Sequence, residues 1–120
     1  MNGRDRTYQV VSQIPKGKVL TYKMVAHWAG VTNPRLVGNY MHNNEDPVNV
    51  PCHRVVNSQG KCAQTYAFGG LKVQQEKLEA EGVVFKKDKI DLGEFLWWPS
   101  KEVQKRWEKE FGKDYITSYK

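Results

Sequence analysis

The residues between Thr21 and Pro34 constrain this chain more than any other stretch. Thr21 has an N-cap side chain, whose oxygen suits the free N–H groups of a first turn, and it predicts a helix over Tyr22 to Ala29. Val25, Trp28 and Ala29 face inwards on it. Gly30 ends that helix. After the turn Val31-Thr32-Asn33, Pro34 takes a first-turn position, where its missing N–H costs nothing. The next helix runs to about Asn43, with Leu36, Val37, Tyr40 and Met41 as its apolar stripe. Two short helices joined by a tight, glycine-containing turn match the helix-turn-helix pattern, in which the second helix is the one that meets DNA. Many helical hairpins bind nothing, so the pattern has low specificity by itself.

The remaining elements are short. Arg4 to Gln13 reads as a helix with Tyr8, Val10 and Val11 on one side, stopped by Ile14-Pro15-Lys16-Gly17. Lys18-Val19-Leu20 is a brief bridge. A polar loop, Asn44 to Asn49, leads to Val55-Val56, a short strand entering the turn Asn57-Ser58-Gln59-Gly60. Leu71 to Glu81 reads as a helix ended by Gly82, and Val83-Val84-Phe85 as a strand before a charged turn. Leu92 to Trp98 is apolar and aromatic, closed by Pro99. Ser100 then caps a last helix, over 101–112, in which Val103, Trp107 and Phe111 recur every four residues, a stripe that docks on the core. The expected fold is mostly α with short strands, a winged helix-turn-helix type. Residues 1–98 form one domain, and 99–120 a C-terminal helical extension packed on it.

Chemistry concentrates in Val50-Pro51-Cys52-His53-Arg54-Val55-Val56. Proline fixes its own φ and biases the residue before it towards extended backbone, so the chain enters Cys52 stiffly at a strand entrance, and Cys52-His53 are expected to lie in an extended segment. A thiol beside an imidazole and a guanidinium suits a nucleophile; it equally suits a buried cysteine acting as a small hydrophobe. Cys52 and Cys62 are the only cysteines and, with no secretion signal, are expected to be reduced. His27, His42 and His53 are scattered without ligand spacing, so neither a metal nor a cofactor is expected. No apolar run approaches membrane-spanning length, and a cytoplasmic or nucleoid location (nuclear in a eukaryote) is expected. The net charge of +6 is uneven: residues 1–60 hold seven Lys/Arg against three Asp/Glu, residues 61–120 twelve against ten. The excess sits in the half that carries Cys52, as it would for a polyanionic partner.

Taken in order, Gly17-Lys18-Val19-Leu20-Thr21-Tyr22, Val25-Ala26 to Ala29-Gly30, Pro34-Arg35-Leu36-Val37-Gly38, Asn44 to Pro47, the cysteine heptapeptide, Ser58 to Lys61, Gly69-Gly70 and Leu78 to Gly82 form a series. That series resembles the DNA-binding, active-site domain of the O6-alkylguanine-DNA alkyltransferases and the related alkyltransferase-like proteins, from about Lys16 to Gly82 and more weakly to Trp98. The resemblance implies that Cys52 accepts an alkyl group from guanine irreversibly. A free thiol is only about 3% thiolate at pH 7, so deprotonation needs help. The family supplies it through a water to a histidine and a glutamate, here His53 and Glu81. The target base must be flipped out of double-stranded DNA. Arg35 matches the arginine that fills the vacated stack, and Tyr22 the tyrosine that presses on the target phosphate, with the helix docked in the minor groove. Asn44 matches an asparagine holding the turn before the cysteine, and Tyr66 a pocket tyrosine that donates to the base. Met41, Pro51 and Arg54 complete the expected pocket and its support. A monomer is expected.

The sequence departs from the pattern in several places. Only a short lead-in precedes the shared region, where alkyltransferases carry a larger N-terminal domain. In this the chain is similar to the alkyltransferase-like proteins, which usually replace the cysteine, often with tryptophan, and bind lesions without repairing them. The Gly30 to Arg35 turn is shorter than usual, and the Gly60 to Gly69 loop, with Ala63-Gln64-Thr65-Tyr66-Ala67-Phe68, is longer. Gln74 stands where the family commonly has lysine, and Leu36 where a smaller residue is common. Three functions remain open on the sequence: suicide repair through Cys52, lesion sensing that flags damage to nucleotide-excision-repair factors, and transcriptional regulation. The retained thiol favours the first.

Overall fold

The computed structural model describes residues 1–63 and 66–112. Gln64 and Thr65 of the loop, and residues 113–120 of the expected extension, lie outside the described residues. The described chain forms six helices: α1 (Gly3–Ser12), α2 (Tyr22–Ala29), α3 (Pro34–His42), α4 (Gly70–Ala80), α5 (Leu92–Phe95) and α6 (Lys101–Phe111). Four strands of two residues each accompany them: β1 (Leu20–Thr21), β2 (Val55–Val56), β3 (Phe85–Lys86) and β4 (Lys89–Ile90).

Local chemistry sets the helix starts. Asn2, Thr21, Asn33, Asp91 and Ser100 each accept a backbone N–H from their helix's first turn. Gly30 closes α2 at φ 67°, a left-handed conformation that a Cβ would penalise. The strands are set by non-local pairing. Leu20 and Thr21 run parallel to Val55 and Val56, so the start of α2 lies beside the end of the cysteine segment. Thr21 is thus both the last residue of β1 and the cap of α2. β3 and β4 form an antiparallel wing, with Phe85 opposite Ile90. The wing is tied down where the Ile90 N–H donates to the Gly60 carbonyl at 3.0 Å.

Three readings are corrected. The expected strand Val83-Val84-Phe85 is displaced to Phe85–Lys86, because Val83 is used in closing α4, its N–H donating to the Leu78 carbonyl. Leu36, assigned to the apolar stripe of α3, is exposed, whereas Val37 and Met41 are buried. Cys52 does not sit in extended chain. Cys52–Arg54 form a single 3-10 turn, closed by Arg54 N–H to the Pro51 carbonyl at 2.9 Å and by the Val55 N–H to the Cys52 carbonyl. Pro51 lacks an N–H but keeps its carbonyl, and that carbonyl nucleates the turn.

Two apolar clusters fill the interior. The larger joins α1, α2 and α3 to Cys52, Tyr66 and the last helix. The smaller places Val19, Val56, Cys62 and Leu78 against the wing and Phe95. α6 docks through Trp107, which is 1% exposed and lies 6.0 Å, ring centre to ring centre, from both Trp28 and Trp97, and stacks on Phe111. No helix among the described residues is long and apolar enough to cross a membrane. Truncating so large a buried ring removes about 3–5 kcal/mol. Trp107→Ala is therefore expected to lower stability by about that much in urea unfolding, while Trp98→Ala, at a side chain 69% exposed, stays within about 0.5 kcal/mol of the parent.

Candidate functional site

Cys52, 3% exposed, lies in the wall of a cleft of about 910 Å³. Tyr22 at the first turn of α2, Arg35 at the first turn of α3, Met41, Ala63 and Tyr66 line the same cleft. The helix-turn-helix and the cysteine segment thus share one opening. The volume is at the upper end of small-ligand pockets, which run about 300–1,000 Å³. Arg35 brings a positive charge to the described lining, with no carboxylate among those residues.

Behind the thiol, a carboxylate organises the turn. Glu81, the C-cap of α4, accepts from His53 Nε2 at 2.8 Å. It also accepts from Arg54 Nε at 3.0 Å and from the Arg54 terminal nitrogen at 2.7 Å, and from the Gly17 N–H at 3.3 Å. The second Arg54 terminal nitrogen donates to the Ile14 carbonyl at 2.7 Å. Burial by itself would raise the Glu81 pKa. The hydrogen bonds from Arg54, His53 and Gly17 outweigh it and hold the carboxyl at about 2. His53 is shifted down, because burial and then the Arg54 and Lys77 charges outweigh the pull of Glu81. The imidazole is therefore neutral at pH 7 despite its carboxylate partner. A carboxylate only accepts, so Nε2 carries the proton and Nδ1 keeps its lone pair. The site thus holds a base whose tautomer is fixed by Glu81.

The remaining site residues fall into two groups. Asn44 is buried, donates through Nδ2 to the Val50 carbonyl at 2.7 Å and accepts the Asp46 N–H at 2.9 Å, which pins the loop before Pro51. Tyr22 is half-buried, and its phenol is pushed up to about 12, by burial first and then by Cys52 and Cys62. Arg35 is exposed, and its backbone N–H donates to the Asn33 cap. Cys62 lies in the second cluster, where burial and then Glu79 push its thiol up to about 11, so it stays protonated and inert at neutral pH.

Two residues without a role in the sequence reading touch this machinery. Gln74, fully buried on α4, donates to the His53 carbonyl at 3.0 Å and the Val55 carbonyl at 2.9 Å, and accepts the Ala63 N–H at 2.9 Å. Its side chain fastens the middle and the exit of the cysteine turn to the pocket wall. Lys77 reaches Tyr66, its Nζ 3.0 Å from the hydroxyl. Gln74, Lys77, Leu78 and Glu81 follow the i, i+3, i+4, i+7 spacing of one helix face. That spacing is the signal in the sequence that would have found them.

The Glu81 clamp makes stability pH-dependent. A carboxyl held below its ordinary 4.5 contributes stability that is present above 4.5 and is lost as pH falls through about 2. His53, whose pKa is lowered in the fold, adds a dependence of the same sign that sets in below 6.5, where the unfolded chain takes up the proton first and stability falls with pH. Glu81→Gln is expected to cost on the order of 3 kcal/mol at pH 7, with the deficit shrinking below about pH 4.5 and closing near pH 2. Urea unfolding of both proteins across that range measures it. Gln74→Leu strands the His53 and Val55 carbonyls and the Ala63 N–H, and a loss of about 3 kcal/mol is expected at all these pH values.

Comparison with known proteins places this geometry. Residues 2–83 match the family model for the 6-O-methylguanine DNA methyltransferase, DNA binding domain. The chain is 35% identical over 100 residues to alkyltransferase-like protein 1 of Schizosaccharomyces pombe, covering 78% of this chain and 93% of that one. It is 42% identical over 94 residues to a DNA base-flipping protein of Vibrio parahaemolyticus, covering 77% and 92%. To a methylated-DNA–protein-cysteine methyltransferase of Methanothermobacter thermautotrophicus it is 45% identical over 78 residues, which is 65% of this chain and 43% of the relative. Among solved structures, the S. pombe alkyltransferase-like protein in complex with damaged DNA containing O6-carboxymethylguanine superposes with a TM-score of 0.72 at 34% identity, over 81% of this chain and 95% of that one. The Mycobacterium tuberculosis O6-methylguanine methyltransferase gives 0.60 at 29% identity, over 68% and 48%. With its family model, its relatives and its fold in agreement, the chain belongs to the alkylguanine-DNA alkyltransferase family, which includes the alkyltransferase-like proteins.

Proposed function

We propose that this protein is a DNA repair alkyltransferase that rotates O6-alkylguanine out of duplex DNA and takes the alkyl group onto Cys52. The observation that carries the reading is a cleft-lining thiol close in the chain to a neutral His53 whose tautomer Glu81 fixes. A damaged purine inside a duplex is out of reach of any side chain, so it must leave the stack, at a cost of a few kcal/mol. In this reading Arg35 and Tyr22, at the first turns of two neighbouring helices lining the same cleft, occupy the gap and press on the backbone. A cleft of about 910 Å³ has room for an extruded nucleotide, and the Arg35 charge on its lining suits a phosphate backbone.

In the transfer, the Cys52 proton passes to His53 Nδ1, directly or through one water, while Glu81 holds Nε2–H and stabilises the imidazolium that forms. The sulfur attacks the alkyl carbon bonded to O6. A carbon–sulfur bond forms and the carbon–oxygen bond breaks, its electron pair returning to the purine, which regains a proton and becomes guanine. The thioether is not reversed, so each molecule acts once.

A second reading has its own support. The chain matches the alkyltransferase-like protein and its DNA complex over more than nine-tenths of their length, and the methyltransferases over less than half of theirs. In that reading the protein binds the flipped base without reacting, as a sensor.

Intact-protein mass after incubation with a duplex containing one O6-methylguanine separates the two. The expected result is a gain of one methylene in the parent and none in Cys52→Ser, with matching loss of the lesion. Lesion binding with no mass change assigns the protein to the sensor class. Arg35→Ala is expected to weaken binding to the lesion duplex roughly tenfold at fixed salt, with a smaller effect on unmodified duplex, while Cys52→Ser leaves both affinities near the parent's.

A further inference from the structure

The β3–β4 wing breaks two local rules at its tip. Lys86 ends β3 and Lys89 opens β4, so Lys87-Asp88 is a two-residue hairpin turn. Turns of that length favour glycine, asparagine or aspartate where φ is positive. Here a lysine, Lys87, holds such a position at φ 60°. Lys86 also stands directly opposite Lys89 in the ladder, and like charges in that register repel. All three lysines are exposed, and among the described residues no carboxylate pairs with any of them. Asp88, the acid of the turn, is engaged by Lys61 at 3.5 Å. Lysines on an edge strand serve elsewhere to block pairing with another chain, but strands of two residues offer almost no edge to guard. The fold by itself gains nothing from this tip.

The topology places this charge beside the cleft. β1 and β2 are parallel, with Thr21 level with Val56, so the chain leaves both strands at the same end. After Thr21 comes Tyr22, which lines the cleft, and after Val56 comes the turn Asn57-Ser58-Gln59-Gly60. The wing is fastened to that turn by the Ile90 N–H on the Gly60 carbonyl and, one residue on, by Lys61 with Asp88. Gly60 is seated so closely, at φ 80°, that a Cβ there would meet the Ile90 carbonyl oxygen at 2.5 Å. Lys61 is two residues before Ala63, another lining residue, so at most about 7 Å separates their Cα atoms. The charged tip therefore flanks the opening that Tyr22 and Arg35 share.

We propose that the wing tip is a second DNA contact: Lys86, Lys87 and Lys89 engage backbone phosphates of the duplex flanking the nucleotide that enters the cleft. The inference rests on the reading that this cleft opens on duplex DNA. A duplex carries about one negative charge per 1.7 Å of its axis, so it supplies phosphates at the spacing of closely set lysines. Phosphates beside the tip offset the Lys86–Lys89 repulsion that the free protein carries. The contact is independent of base sequence and of the lesion, because lysine meets phosphate as a point charge. Its role is to hold the duplex across the opening while the cleft residues act on one nucleotide.

The test is the salt dependence of binding to a labelled, lesion-free duplex, read by fluorescence anisotropy on the full chain. Each neutralised phosphate contributes about 0.9 to the slope of log K against log salt. Lys86→Gln/Lys89→Gln is expected to flatten that slope by about two and to weaken binding on the order of tenfold at ~0.1 M salt. Lys87→Asn flattens it by about one, and Lys86→Arg/Lys89→Arg keeps the parent's slope and affinity. Lys105→Gln, the same charge change on α6, leaves both unchanged. The glutamine and asparagine variants melt at or above the parent's midpoint, since they remove the like-charge pair and the positive-φ lysine, so weaker binding does not come from unfolding. An unchanged slope in the wing variants, an equal loss in Lys105→Gln, failure of the arginine variant to bind like the parent, or no binding of the parent to the duplex would each overturn the proposal. Methyl transfer to Cys52 from the O6-methylguanine duplex is measured in parallel. Transfer with a flat wing series overturns the wing contact and keeps the repair reading. A flattened slope without transfer removes the repair reading and leaves the wing contact standing.

Discussion

The Glu81 carboxylate is the interaction on which the rest of this structure turns. It closes α4, receives the Gly17 N–H from the corner after α1, and binds His53 and Arg54 from the 3-10 turn. Three segments far apart in sequence therefore meet at one acceptor. Arg54 continues the linkage by donating to the Ile14 carbonyl. Gln74, two turns earlier on α4, holds the same turn from its other side through the His53 and Val55 carbonyls. The cysteine turn is too short to be rigid by its own backbone. It is held by two polar side chains, Gln74 buried within α4 and Glu81 at that helix's C-cap, and that is what fixes where the thiol sits relative to the cleft.

The strand pairing completes the frame. β1 and β2 are only two residues each, so their hydrogen bonds contribute little stability by themselves. Their value is register. By placing Leu20 beside Val55 and Thr21 beside Val56, they bring the capped start of α2, and with it Tyr22, to the end of the cysteine turn. α3 then follows α2 through the Gly30 corner, and Arg35 arrives at the same opening. The cleft is the product of one parallel pairing and one tight helical turn.

The two features were unequally legible in the sequence. The helical turn was readable because its determinants are local: Thr21, Gly30, Asn33 and Pro34 each act within a few residues of where they stand. The winged, mostly helical fold was readable for the same reason, together with the resemblance. β1 was not, since a two-residue strand has no periodicity and owes its existence to a partner thirty-five positions away. The turn at Cys52 was misread as extended because proline's effect on φ was weighed and its free carbonyl was not. At the site, Cys52, His53 and Glu81 were named from the motif, but the bidentate engagement of Arg54 with Glu81 belongs to the tertiary fold. Gln74 and Lys77 were hidden differently. Polar residues on a helix read as solvent-facing until the element packed against them is known, and here that element is a loop with no periodicity of its own.

Energetics argue that the clamp is kept for chemistry more than for stability. A buried Arg–carboxylate pair repays its desolvation poorly, and apolar residues of similar volume often serve the fold as well or better. An apolar residue at position 81 would, however, release His53 Nε2 and let the imidazole choose its tautomer. It would also leave Arg54 charged and buried beside the thiol turn, depressing the imidazole's basicity with no carboxylate to oppose it. The contrast between the two cysteines makes the same point. Cys62, in an apolar cluster near Glu79, has its thiol pushed up to about 11 by burial first and then by that carboxylate. Cys52 is just as buried but lines the cleft, and the imidazole next to it in the chain is neutral with its tautomer fixed by Glu81. Burial alone makes a thiol inert. The polar side chains of α4 set the environment of Cys52 apart.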